Sequence, residues 1–147
     1  DRAGRLALDL DASAGVLGAA RRGGSLYVAL DPAVRAPVVS LRRSDVRSGM
    51  ATARGRVGVG ASRWTLSDLE RDGCGARMRA AGFGPGEIRL AVEPRLRAEI
   101  VVTWPDEPDR PAFREEVLAD AQGRLDLALP SLRGGTAAIA FTGSCGS

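Results

Sequence analysis

Apolar residues recur at every second position, in short bursts, along most of this chain. In "RLALDL" Leu6, Leu8 and Leu10 fall on one side of an extended backbone, with Ala7 and Asp9 on the other; "SLYVAL" repeats the device with Leu26, Val28 and Leu30. Successive side chains of a strand point to opposite faces, so a period of two builds half-buried strands, whereas an amphipathic helix needs a period near 3.6. The same pattern, or a short apolar run, appears in "PVVSL" (37–41), "RVGVG" (56–60), "EIRLAV" (87–92), "RAEIVVTW" (97–104), "GRLDLAL" (123–129) and "TAAIAF" (136–141). Each is bounded by Gly, Pro, Asp or Ser. About eight such segments without long helices between them specify an antiparallel sandwich or barrel and exclude an alternating α/β fold. At 147 residues the chain has the size of one domain with a real core, so 1–147 is read as a single β-domain. The core faces are expected to carry Leu6, Leu8, Leu26, Val28, Ile88, Leu90, Ile100, Val102, Leu125, Leu127 and Ile139.

Turn chemistry agrees. "ARRGGS" (20–25) can join two strands through Gly23-Gly24, "DAQGR" (120–124) reads as a turn led by Asp120 with Gly123 at its exit, and "LRGGT" (132–136) is a further connection. "TWPDEPDRPAF" (103–113) has three prolines and no period, which marks an ordered loop. One stretch departs from the pattern. "TLSDLERDGCGARMRAAGFGPG" (65–86) opens with Ser67 and Glu70 at capping-box spacing, and predicts a short helical element near 67–80, broken by Gly73 and Gly75.

Histidine is absent, which removes Ser-His-Asp and Cys-His nucleophile arrangements and every zinc site that needs imidazole; two cysteines are too few for an all-thiolate zinc site. No phosphate-binding glycine loop is present, and no cofactor is implied. Carboxylate-only catalysis of the glycosidase type survives. No apolar run approaches the roughly 20 residues of a membrane helix. The chain begins at Asp1 without methionine, so it is read as a processed chain or a piece of a longer protein, and a membrane span elsewhere in that protein stays open.

All 21 basic residues are arginine, a bias that codon composition accounts for. Residues 1–80 carry 14 arginines against 8 acids, a net of +6, and residues 81–147 carry 7 against 10, a net of −3. The arginines are scattered and not interleaved with aromatics, which argues against nucleic acid as a partner.

Only Cys74 and Cys145 carry thiols. Both fall in irregular segments, one in "DGCGA" and one in the tail "FTGSCGS", and two such residues in an otherwise cysteine-free chain are read as disulfide partners. The bridge would close a loop of about 72 residues, worth roughly 4 kcal/mol in the chain-entropy model. It would tie down the last strand and place the protein in an oxidising, extracytoplasmic compartment: periplasm, cell surface or medium.

The candidate ligand residues are few. Trp104 continues the alternation of Ala98, Ile100 and Val102 and belongs to the core or its lid. Trp64, in "GASRWTLSD", either packs on the core or offers a sugar-stacking face with Arg63 and Asp68 at its edge; Tyr27 is the other ring of that reading. Asp106, Glu107 and Asp109 form the densest acidic cluster. Oxygen-rich loops can hold calcium, but this one lacks EF-hand spacing and reads as a solvated loop. Arg42, Arg43 and Arg47, with Asp45 beside them, form a small anion-site candidate against a default of solvated charge.

"VLADAQGRLDLALPSL" resembles the closing hairpin of bacterial immunoglobulin-like and carboxypeptidase-regulatory-like sandwiches, through Asp120, Gly123, Leu125, Leu127 and Pro130. The resemblance covers about 117–132 and implies a non-catalytic extracytoplasmic module attached to a larger envelope protein. The fold expected is therefore an antiparallel β-sandwich, immunoglobulin-like or jelly-roll-like, of about eight or nine strands with one short helical element. The function expected is a non-catalytic interaction or accessory module of a cell-envelope or secreted protein, binding a protein or an envelope glycan. The alternatives are a carbohydrate-binding module and a carboxylate-dependent glycan-active domain.

Overall fold

The computed structural model describes residues 5–44, 48–51, 56–130 and 136–143. Among them the chain is all-β, with thirteen strands and no helix. In order these are β1 (Arg5–Asp9), β2 (Val16–Arg22), β3 (Ser25–Leu30), β4 (Leu41–Ser44), β5 (Met50–Ala51), β6 (Gly58–Ser62) and β7 (Thr65–Asp72). There follow β8 (Gly75–Ala81), β9 (Gly86–Ala91), β10 (Arg97–Thr103), β11 (Phe113–Leu118), β12 (Arg124–Leu129) and β13 (Thr136–Gly143). The count exceeds the eight or nine expected because β2, β5 and β11 carry no clean apolar alternation, and β7 and β8 lie in the stretch read as a helical element.

A five-stranded antiparallel sheet has the order β11-β10-β13-β8-β7, and a three-stranded antiparallel sheet the order β12-β9-β6. Leu66, Met78, Ile100, Ile139 and Phe141 from the first sheet and Val59, Ile88, Leu90, Leu125, Leu127 and Leu129 from the second belong to one buried cluster. The period of two accounts for this directly: in β12 the burial runs exposed, buried, exposed, buried through Arg124, Leu125, Asp126 and Leu127. The remaining strands form a β2–β3 hairpin and a small sheet of order β4-β1-β5, in which β5 runs parallel to β1. These surround a second cluster of Leu8, Leu10, Val16, Ala19 and Met50, with Leu26 and Val28 half-buried against it. Leu6, expected in the core, is 54% exposed, because β1 turns Ala7 and Leu8 inward instead.

The helix expected near 67–80 is a β-hairpin. Asp72 pairs with Gly75 across a two-residue turn whose first residue, Gly73, has φ 59°, the conformation a tight hairpin turn asks of glycine. Ala76, Met78 and Ala80 point inward from β8 while Arg77 and Arg79 point out. Ser67 and Glu70 do not cap a helix; they flank a bulge, with Ser67 opposite Arg79 and Glu70 opposite Arg77. One extra residue reverses the faces of the strand beyond it. Leu66 is buried before the bulge, and Leu69 and Arg71 turn inward after it.

Two charged side chains join the two clusters at this bulge. Asp31, 4% exposed, follows β3; its Oδ1 accepts from the amides of Asp68 (3.0 Å) and Ala33 (3.0 Å), and its Oδ2 from the amide of Leu69 (2.9 Å). Asp68 itself has φ 53°, and the two amides the bulge withdraws from the ladder are satisfied by the carboxylate. Arg71 reaches the other way. Its Nε donates to the carbonyl of Val57 (2.6 Å) and its Nη2 to those of Leu17 (2.9 Å) and Val16 (3.1 Å). Burial, helped by Arg56 and opposed by Asp31, pushes the Arg71 pKa down to about 10, so the side chain is still charged at neutral pH.

Removing this carboxylate leaves three amides without an acceptor. Asp31→Ala should therefore lose about 3 kcal/mol or more in urea unfolding at neutral pH, and Asp31→Asn, which keeps one acceptor oxygen, roughly half of that. An unchanged midpoint in Asp31→Ala would show that the bulge holds itself.

Candidate binding site

The outward face of the three-stranded sheet is set by the same alternation that fills the core. With Ile88 and Leu90 inward on β9, Glu87, Arg89 and Ala91 face out; with Leu125 and Leu127 inward on β12, Arg124, Asp126 and Ala128 face out. Arg89 and Asp126 are register partners, and Arg89 Nε donates to Asp126 Oδ1 at 2.8 Å. Arg124, two residues before Asp126, places Nε 3.0 Å and Nη2 2.9 Å from Oδ2. Arg63 Nε lies 3.8 Å from Glu87 Oε2, both side chains well exposed.

Small residues between these charges leave a trough. One depression of about 420 Å³ runs between Ala19–Arg22 of β2, Gly60 and Ala61 of β6, Arg89 of β9 and the Gln122–Arg124 turn. A second, of about 470 Å³, continues over Arg63, Glu87, Asp126 and Ala128, and the two share Arg22, Ala61 and Arg89. The end wall is built by the Asp120 turn: Asp120 Oδ1 accepts from the amides of Gln122 (2.9 Å) and Arg124 (2.8 Å), and Gly123 has φ 82°, as the sequence pattern led one to expect. That turn joins strands of different sheets, since β11 pairs with β10 and β12 with β9, and so it closes no hairpin.

Asp126 is the trough's electrostatic centre. Burial alone would raise its pKa, but the hydrogen bonds and charges of Arg89 and Arg124 outweigh it and hold the carboxyl below the usual aspartate value. The group is thus an anion held between two cations, and both arginines line the trough.

The structure separates the residues proposed for sugar stacking. Trp64 is 3% exposed and offers no open ring face, which corrects that reading. It lies under the β8–β9 loop, where its Nε1 donates to the Gly84 carbonyl (3.2 Å) and a side-chain carbon at Gly86 would sit 2.4 Å from the ring. Arg63 is in the trough, whereas Asp68 is on the bulge and pairs with Arg79 at 3.7 Å. Tyr27 is 59% exposed; it opposes Ala20 in the β2–β3 hairpin and shares that face with Arg22, and both Ala20 and Arg22 line the trough.

Asp106, Glu107 and Asp109 are exposed on the β10–β11 loop, which is pinned by the Glu107 amide donating to the Trp104 carbonyl (3.1 Å). Among the described residues no group of three or more His, Cys, Asp or Glu side chains comes together as a cation site. Trp104 is buried in the larger cluster. Arg42 and Arg43 are exposed on β4, while Asp45 and Arg47 lie outside the described residues, as do Cys145 and nearly all of the 132–136 connection. Cys74 is not in an open turn as its glycine neighbours suggested; it is 1% exposed, with Sγ 3.5 Å from Glu93 Oε2. No protein-family model matches the chain, and comparison with curated proteins and with solved structures gave no match.

Sequence reasoning missed Arg22, Arg89, Arg124 and Asp126 as a group. The available signal was the polar half of each alternation: once β9 and β12 pair, their outward positions bring Arg89, Arg124 and Asp126 side by side.

A depressed carboxyl pKa contributes stability that is present above the unfolded value and disappears as pH falls through the folded one. The Asp126 contribution should therefore be intact above pH 3.8 and decay below it. Asp126→Asn should flatten that acid limb in a pH series of urea melts, by on the order of 0.5 kcal/mol because the group is well exposed. Identical acid limbs would mean that the clamp is only geometric.

Proposed function

We propose that this chain is a non-catalytic interaction module of a larger cell-envelope or secreted protein, binding an extended partner along the arginine-rimmed trough. One observation carries the reading: the trough's carboxylates are already engaged. Asp126 is clamped by two arginines, Glu87 lies beside Arg63, and Asp120 holds a turn. A glycosidase needs one acid kept protonated by a raised pKa, and Asp126 is displaced the opposite way. An open trough with rigid donors on both sides suits a linear chain better than a small enclosed substrate. In this reading the two sheets that share the larger cluster are the layers of a β-sandwich.

Tyr27 favours a glycan over a protein as the linear partner. An exposed ring on the same hairpin face as Arg22 supplies the apolar stacking surface that sugar recognition uses, and this role passes to it from the buried Trp64. The test is retention on insoluble cell-envelope polysaccharide. The parent should bind, Arg22→Ala/Arg89→Ala should lose at least about tenfold in affinity, and Tyr27→Ala about the same, as one lost stack of 1–2 kcal/mol implies. Soluble sugar released during prolonged incubation would overturn the non-catalytic assignment, and binding indifferent to both sets of variants would overturn the trough.

The extracytoplasmic location rests on a Cys74–Cys145 disulfide. The end of β13 supports it, because Gly143 packs on Cys74 so closely that a side-chain carbon there would lie 2.6 Å from the Cys74 carbonyl oxygen, and Cys145 follows two residues on. Cys145→Ser should cost about 2–5 kcal/mol. Hydrogen exchange should show the loss first in residues 136–141, while Ile100 and Val102 stay protected. Unchanged exchange in β13, or two free thiols in the untreated protein, would remove the bridge and with it the location.

A further inference from the structure

We propose that the linear partner of the trough is an anionic polysaccharide, one that carries a carboxylate or a phosphate on its repeating unit. This rests on the trough being a glycan site and specifies the charge of the glycan. The cationic path is longer than the trough alone. Beyond Arg21 a further depression of about 520 Å³ opens, walled by Arg5, Leu6, Leu26, Arg43 and the Gly23–Gly24 turn, and Arg21 lines both hollows. Arg43 on β4 stands across the ladder from Leu6, beside Arg5 on β1. Arg21 Nη2 donates to the Leu6 carbonyl at 2.7 Å, which joins the β2 end of the trough to β1.

Scattered along the sequence, the arginines converge here in the fold. Arg5, Arg21, Arg22, Arg43, Arg89 and Arg124 line the path against two acids among the described residues, Asp120 and Asp126. Arg63 and Glu87, at the far end, offset each other. The path thus has a net charge of +4 while the whole chain carries +3, so everything outside the path sums to −1. One carboxylate, that of Asp126, serves both Arg89 and Arg124, and the Asp120 carboxylate holds the amides of its own turn. Among the described residues the Arg5 and Arg22 side chains have no ion pair.

This excess selects a polymer of anions. A single contact between exposed charges is weak, so a small anion gains little at any one arginine. A chain that carries an anion on each repeat meets several arginines at once, and the later contacts are intramolecular. Guanidinium groups suit the task, because their planar fork matches both carboxylate and phosphate. Nucleic acid fits less well. Successive stacked rings hold a single strand, and Tyr27 is the one aromatic residue of the β2–β3 hairpin that borders the path.

Isothermal titration calorimetry of the oxidised protein with polygalacturonate and with phosphomannan tests it. The first polymer carries carboxylates and the second phosphates, so the tighter of the two identifies the anion. Carboxyl-reduced polygalacturonate and dephosphorylated mannan keep the sugars without the charge. At least one acidic polymer should bind, and its uncharged counterpart should bind at least about tenfold more weakly. Raising NaCl from about 50 to about 300 mM should weaken the acidic polymer by at least about tenfold, as exposed charges are screened. Arg5→Glu, beyond the trough itself, should weaken the acidic polymer about tenfold and leave the uncharged one unchanged, while Arg5→Lys should stay within about threefold of the parent. Equal affinity for charged and uncharged polymers overturns this inference and leaves the trough as a neutral-glycan site. Acidic-polymer binding indifferent to Arg22→Ala/Arg89→Ala removes the trough, and this inference with it. A single-stranded oligonucleotide bound more tightly than both acidic polymers, or no binding of either polymer, overturns it as well.

Discussion

The Asp31 carboxylate closes a bulge that the chain cannot otherwise sustain. At Asp68 and Leu69 strand β7 leaves the hydrogen-bonding ladder, and a buried amide without an acceptor is expensive. Asp31, 37 residues earlier, supplies both acceptors while holding its own local turn through the Ala33 amide. What the bulge gives in return is a reversal of faces. Beyond it Arg71 points inward, and its planar guanidinium reaches three carbonyls on two segments. A lysine, with one compact ammonium group, would not present donors in that fork geometry. An anion from the N-terminal strands thus grips β7, and a cation from β7 grips the N-terminal strands. The smaller cluster around Leu8 and Met50 is held to the larger one at this seam.

Legibility in the sequence followed the cost of being wrong about a face. In β9, β10, β12 and β13 one face meets the core and the other does not, so the alternation is strict and was readable. Strand β2 is buried on both faces across Val16, Leu17, Gly18 and Ala19, and loses its period. Strand β11 is an edge strand of mostly exposed residues whose Glu115 and Glu116 guard a free edge, so it has little apolar signal. The β7–β8 hairpin hid for a different reason. A bulge puts Ser67 and Glu70 three apart in sequence on an extended chain, which is also the spacing of a capping box on a helix. Local sequence does not separate the two, because the deciding partner, Asp31, is remote.

The trough and the buried tryptophan were illegible for a related reason. Trp64 is covered by glycines 18 and 22 residues away, whose missing side chains create the space for its ring. Glycine in "GFGPG" reads as flexibility, yet here Gly86 is a packing residue and the loop above it is fixed. Likewise Arg22, Arg89, Arg124 and Asp126 come from β2, β9 and β12, and only the pairing of the last two strands, with the hairpin folded beside them, makes them neighbours. Codon bias explains why every basic residue is arginine; it does not explain why Arg71 and Arg124 each use two nitrogens of the fork.

Strand β9 is where these features meet. It is the central strand of its sheet, bonded to β12 on one side and β6 on the other, so neither of its edges is free to move. Its inward residues Ile88 and Leu90 are 2% exposed in the larger cluster, and its outward Arg89 sits between the two halves of the trough. Its first residue, Gly86, seats the loop that carries Phe83. A binding side chain is most precise when the element beneath it is locked by packing. A doubly paired strand, with its inner face in the core and its end packed on a tryptophan, provides that rigidity. The arginine-rimmed trough and the loop over Trp64 therefore rest on one strand, and a change that loosens β9 should disturb both.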